Sequence, residues 1–88
     1  MVYRIELKPS AVESLSKIPL SYRKRISRKI DQLADNPRPR GVEKLAGEES
    51  LYRVRVGDYR IIYQICDSKL LIVVVRIGSR GDIYRHLP

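Results

Sequence analysis

Cysteine and histidine are nearly absent. The 88-residue chain has one of each, Cys66 and His86. A lone cysteine excludes an internal disulfide, and one Cys with one His excludes a zinc site made within the chain. Cys66 is expected to be a small packed side chain rather than a nucleophile. Long apolar runs are missing too: the longest, Leu70 to Val75, stops at Arg76, far short of the ~20 residues of a membrane helix. The opening residues MVYRIELKPS carry no apolar signal segment. These absences predict a cytoplasmic protein with no membrane segment, no metal and no cofactor. Negative charge is also scarce, with 10 Asp+Glu against 18 Lys+Arg and a net charge of +8. Such an excess points to a polyanionic partner, nucleic acid first among them.

What is present is enough for one small domain over 1–88, at 43% hydrophobic residues. The positive charge is not a tail. Residues 1–36 hold 8 basic and 4 acidic side chains, and residues 37–88 hold 10 and 6, so a basic surface must be assembled by folding. Val2 to Leu7 alternates as a strand, which Pro9 stops. Ser10 with Glu13 resembles a capping box for a two-turn helix, with Val12, Leu15 and Ile18 inward and Pro19 at its end. A second helix is predicted from Ser21 to Asp35. Tyr22, Ile26, Ile30, Leu33 and Ala34 share one stripe, and Arg23, Lys24, Arg25, Arg28 and Lys29 take the rest of the circumference. Asn36 to Ser50, with Pro37, Pro39, Gly41 and Gly47, reads as a loop.

From Leu51 the period becomes 2. Leu51–Val56 and Tyr59–Cys66 flank Gly57-Asp58, a type II′ hairpin signal. After Asp67-Ser68-Lys69, Leu70–Ile77 is apolar on both faces and so predicts an interior strand. Gly78 to Gly81 breaks it, and Asp82–His86 forms a short closing segment. The predicted fold is α+β: strand, helix, helix, then three strands, with two helices on one face of a small, mostly antiparallel sheet. The hairpin register places Tyr52, Val54, Val56, Tyr59, Ile61 and Tyr63 toward the helices. Arg53, Arg55 and Arg60 lie on the other face, with Arg55 directly opposite Arg60. Opposed like charges cost up to ~1 kcal/mol. The patch makes sense where phosphate neutralises it, because guanidinium forks match phosphate oxygens. A plain solvated face is the alternative.

The segment YRVRVGDYRIIY (52–63) and the ending RGDIYR (80–85) resemble the RelE toxins of the RelE/ParE superfamily, and the likeness spans nearly the whole chain. The resemblance implies the toxin of a type II toxin–antitoxin pair, a ribosome-dependent endoribonuclease that cleaves mRNA in the decoding site and is neutralised by a cognate antitoxin. It implies a catalytic set of Arg53, Arg55, Arg60, Arg80 and Tyr84. Arg53 and Arg55 stand where the best-known pattern has Lys, and Ser79 stands where relatives often have His. ParE members poison DNA gyrase instead, and an inactive nucleic-acid-binding relative is a third possibility. Arg23, Lys24, Arg28, Lys29 and Lys44 are candidates for gripping the RNA or ribosomal RNA backbone. Cleavage without a metal needs a base for the ribose 2′-OH, charge stabilisation at phosphorus and protonation of the 5′ oxygen. Arginine, protonated below about 12, suits only the second. Tyr84 is either the base or a stacking platform. His86 is either an acid/base group or an exposed tail residue.

Overall fold

A computed structural model describes residues 2–45 and 50–79. The elements run β1 (Arg4–Leu7), α1 (Pro9–Ser16), α2 (Leu20–Asp35), β2 (Glu43–Lys44), β3 (Leu51–Val56), β4 (Tyr59–Cys66), a 3-10 turn (Asp67–Lys69) and β5 (Leu71–Ser79). The sheet has five strands in the order β1-β5-β4-β3-β2. Only β1 and β5 are parallel. The expected α+β architecture holds, with β5 inside the sheet and β4 at its centre.

Two local expectations fail. Pro9 does not merely stop the strand: it occupies the first turn of α1, and Lys8 is the N-cap with no side-chain cap bond. Proline suits that position because its fixed φ is already helical and its missing N–H has no partner to lose. Ser10 therefore lies inside the helix, where its hydroxyl donates to the Val75 carbonyl at 3.4 Å. The buried face of the helix also differs from the expected one. Ala11 is buried and Val12 faces out, 52% exposed. The second failure concerns β5, which continues through Gly78 to Ser79 because Gly78 pairs with Arg60 and Ser79 with Tyr59. At its other end, Leu70 has φ +50 and closes the 3-10 turn, so β5 begins one residue later than expected.

The hairpin is as read. Val56 pairs with Tyr59, Arg55 with Arg60, Val54 with Ile61, Arg53 with Ile62 and Tyr52 with Tyr63. Gly57 has φ +59, while among the described residues Leu70 is the only non-glycine with positive φ. Positive φ at the first central residue alone is the sign pattern of a type II′ turn. A Cβ at Gly57 would stand 3.0 Å from Cε1 of Tyr22, so packing as well as backbone demands glycine. The core lies between the sheet and the helices. Ile26, Ile30 and Leu33 of α2 and Ala11 of α1 meet Val54, Ile61, Tyr63, Ile72, Val74 and Ile77. A register shift between Ile62 and Tyr63 lets Val75 bulge from β5, which keeps Val74 and Ile77 on the core face.

Candidate functional site: a cationic groove at the sheet edge

Strand β3 is paired along its whole length with β4, but β2 covers its outer edge only at Tyr52 and Arg53. From Val54 to Val56 that edge pairs with no strand among the described residues. A groove of about 640 Å³ wraps around it, lined by Lys29 of α2, Arg40 and Gly41 of the preceding loop, Glu43 of β2, Arg53, Val54 and Arg55 of β3, and Arg60 of β4. Arg53 and Arg55 arrive there because the strand period sends them to the face away from the helices. Arg60 joins from the next strand because it is the cross-strand partner of Arg55.

The three arginines are not equivalent. Arg55 is exposed, and Arg53 pairs with Glu43, its cross-strand neighbour on β2. Arg60 is only 7% exposed and is the one buried charged residue among those described. Reading the patch as a uniformly solvated face misjudges Arg60. Its strand is central, flanked by Arg55 on one side and side-chain-free Gly78 on the other. Among the described residues Arg60 makes one hydrogen bond, Nη1 to the Tyr59 carbonyl at 3.4 Å, and pairs with no carboxylate. Its nitrogens are not sealed off, since the only buried, unpartnered side-chain polar atom among the described residues is Nε of Arg23. An ion of opposite charge at the groove floor would complete the coordination of Arg60.

A second recess of about 310 Å³ shares Lys29 and Arg55 with the groove and adds Arg25, Arg28, Gln32 and Gly57. The two form one basic track from β2 around the β3 edge to α2. Arg25 is held over the Tyr22 ring at 5.2 Å, and Tyr22 packs on Tyr59 with ring centroids 5.1 Å apart. Of the helix cations expected to grip a backbone, Arg28 and Lys29 reach this track. Lys24 is exposed outside it, and Arg23 turns inward, donating to the Ser16 and Ile18 carbonyls at 3.1 and 3.0 Å to cap the end of α1. Lys44 pairs with Tyr52 and so lies on the opposite face from Glu43 and the arginines. Arg80, Tyr84 and His86, with the closing segment that holds them, lie outside the described residues.

Three residues of the basic track escape a linear reading. Arg40 and Glu43 sit in the stretch taken as a loop, where a two-residue strand is too short for any period to register. Arg25 is visible on the helix, but only the hairpin turn brings it to Arg55. A separate network anchors the loop. Arg38 donates to Asp67 at 2.9 Å and to the Tyr52 hydroxyl at 3.3 Å, Tyr3 donates to Asp67 at 2.6 Å, and Tyr63 donates to the Pro37 carbonyl at 2.6 Å. The hydrogen bonds from Arg38 and then Tyr3 hold the Asp67 carboxyl below its ordinary range, and burial pushes the Tyr63 hydroxyl up.

The family model described as the ParE toxin of the type II toxin–antitoxin system parDE matches residues 5–84. A chain of the archaeal RelE–RelB complex from Pyrococcus horikoshii superposes with TM-score 0.82 at 33% identity, over 93% of this chain and 99% of its own. A chain of the RelB–RelE complex from Methanococcus jannaschii gives 0.76 at 26%, over 94% and 99%. The mRNA interferase toxin RelE of Escherichia coli K12 is 26% identical over 88 residues, 96% of this chain and 92% of the relative. No helix among the described residues is long and apolar enough to cross a membrane.

Proposed function

This chain belongs to the ParE toxin family of type II toxin–antitoxin systems and is a toxin of the RelE type, and from that premise we propose that it is a cytoplasmic, ribosome-dependent mRNA endoribonuclease held in check by a cognate antitoxin. The observation that carries the reading is the groove floored by Arg60. A buried guanidinium with no acidic partner among the described residues, with Arg53 and Arg55 beside it, suits a group of concentrated negative charge. In the proposed reaction the ribose 2′-OH attacks the adjacent phosphorus without a metal ion. Arg60 and Arg55 stabilise the charge that grows on the phosphate oxygens, a contribution worth ~10²–10³-fold for each donor. The track over Arg25, Arg28 and Lys29 holds phosphates flanking the scissile one, in single-stranded RNA or in the ribosome. Arg80 and Tyr84 complete the set by resemblance.

Gyrase poisoning is the rival that the family model's name brings with it. Brief expression without antitoxin, followed by mapping of RNA 5′ ends and measurement of plasmid supercoiling, separates the two. Cuts within translated codons with normal supercoiling are expected. Intact mRNA with DNA breaks or lost supercoiling would replace this reading with the gyrase one.

A further inference from the structure

We propose that the Arg25 guanidinium is a stacking platform for a nucleobase, so that the recess beside the groove takes up one whole nucleotide of the RNA rather than a phosphate alone; the platform rests on the endoribonuclease reading above, which uses Arg25 only as a charge. Arg28 and Lys29 follow Arg25 by three and four residues on α2, and all three line the recess with Arg55 of β3. Like charges at such helix spacings repel. No carboxylate stands among the described lining residues, and none of the ion pairs among the described residues involves these four cations. Their repulsion is relieved when an anion enters the recess.

Arg25 differs from the other three in how it is held. Its guanidinium carbon lies over the Tyr22 ring, 5.2 Å from the centroid. Tyr22 in turn packs on Tyr59, with ring centroids 5.1 Å apart and planes tilted by 58°. Gly57 lies alongside: a Cβ there would stand 3.6 and 3.7 Å from Nη1 and Nη2 of Arg25. Tyr59 and Tyr22 are partly buried and Arg25 is exposed. The stack thus rises from the core and ends in a flat cation at the recess, with one side of the guanidinium on the ring and the other toward the recess. A charge that only meets phosphate needs no such support. A planar cation held in place is what stacks on a base, and holding it beforehand lowers the ordering cost of binding.

Lys29 and Arg55 line both the groove and the recess. An RNA strand with its scissile phosphate at Arg60 therefore continues into the recess, where Arg28, Lys29 and Arg55 take the next phosphate and Arg25 takes the base. At about 310 Å³ the recess is at the small end of ligand sites, which run from ~300 to ~1,000 Å³, and this suits a single nucleotide. Duplex RNA keeps its bases paired and stacked, so the platform serves single strands, whose bases splay out.

The test is fluorescence anisotropy with two labelled probes: a short 2′-fluoro oligoadenylate, which has no 2′-OH and so is not cleaved, and the same oligomer with abasic units in place of the bases. Wild type, Arg25→Lys and Arg25→Ala are compared, each checked for folding by thermal melting. Arg25→Lys keeps the charge and loses the plane. It is expected to bind the base-bearing oligomer ~10-fold more weakly than wild type, within the range for one stacked base, while binding the abasic oligomer as tightly and with the same salt dependence. Arg25→Ala should lose the same base preference and also bind the abasic oligomer more weakly, its log–log salt slope shallower by about 0.7. Equal weakening of both oligomers in Arg25→Lys would make Arg25 a phosphate contact and overturn the platform, as would unchanged binding of both. Either failure leaves the endoribonuclease reading standing where wild type still cuts mRNA on programmed ribosomes. If wild type binds neither oligomer and leaves that mRNA intact, the reading falls and takes the platform with it.

Discussion

Arg55 and Arg60 face each other across a non-hydrogen-bonded register position, where side chains approach most closely. Their opposition costs up to ~1 kcal/mol. Arg55→Gln is therefore expected to raise the thermal midpoint, at roughly 4–8 °C per kcal/mol for a domain of this size. The same change should slow cleavage ~10²-fold by removing a donor to the phosphate. A melt and a single-turnover assay on one preparation check both, and a variant that is less stable and fully active would contradict the account. Tyr84 is probed in the same way. Its two candidate roles, base and stacking platform, separate by hydroxyl and ring. With stacking as its role, Tyr84→Phe should cleave within a few-fold of wild type, and Tyr84→Ala should lose ~1–3 kcal/mol of stacking, read as weaker binding of programmed ribosomes. A ~10²-fold loss in Tyr84→Phe with binding unchanged would give the hydroxyl a part in the chemistry, as base or as the group that orients the 2′-OH.

At the scale of elements, what could be read from the chain and what could not divides by range. The hairpin carries its own instructions. Gly57-Asp58 sets the turn and the period of 2 sets the faces, so the Arg55–Arg60 pairing followed from neighbouring residues alone. The α2 stripe, from Ile26 to Ala34, is equally local. Strand order is not local, and so the burial of Arg60 on the central strand could not be read. The capping-box reading of Ser10 failed because Pro9 starts the helix one step earlier. The loop before β2 depends on partners far along the chain: Arg38 reaches Tyr52 and Asp67, and Asp67 accepts from Tyr3. This clamp has a pH signature. A carboxyl whose folded pKa is depressed adds stability above its unfolded value and loses it as pH falls through the folded one. Asp67→Asn should thus melt below wild type at neutral pH, with the gap closing as pH drops below about 4. Both partners are half exposed, so the gap will be small. A gap that persists in acid would show that the amide fails for reasons of shape rather than charge.

At the scale of the whole molecule, the +8 charge is spread along the sequence. The folded chain concentrates cations from α2, β3 and β4 along one sheet edge. A cognate antitoxin of the kind proposed must either cover that edge or block the toxin from elsewhere, and ionic strength distinguishes the two. An acid-bearing segment that docks along Val54 to Val56 and over the groove is steered by the cationic track. Its association rate should then fall steeply with added salt, while its dissociation rate, set by desolvated contacts, changes little. Removing one track cation at the groove rim, as in Lys29→Gln, should lower the association rate and flatten its salt dependence. A single-stranded polyanion such as polyuridylate should compete, since it draws on the same cations. Stopped-flow mixing of toxin and antitoxin across a salt series measures all three. A shallow salt dependence, unchanged by Lys29→Gln and by polyuridylate, would place the antitoxin on the helix side and leave the groove open in the complex. Inhibition would then have to act by blocking access to the ribosome rather than by filling the site.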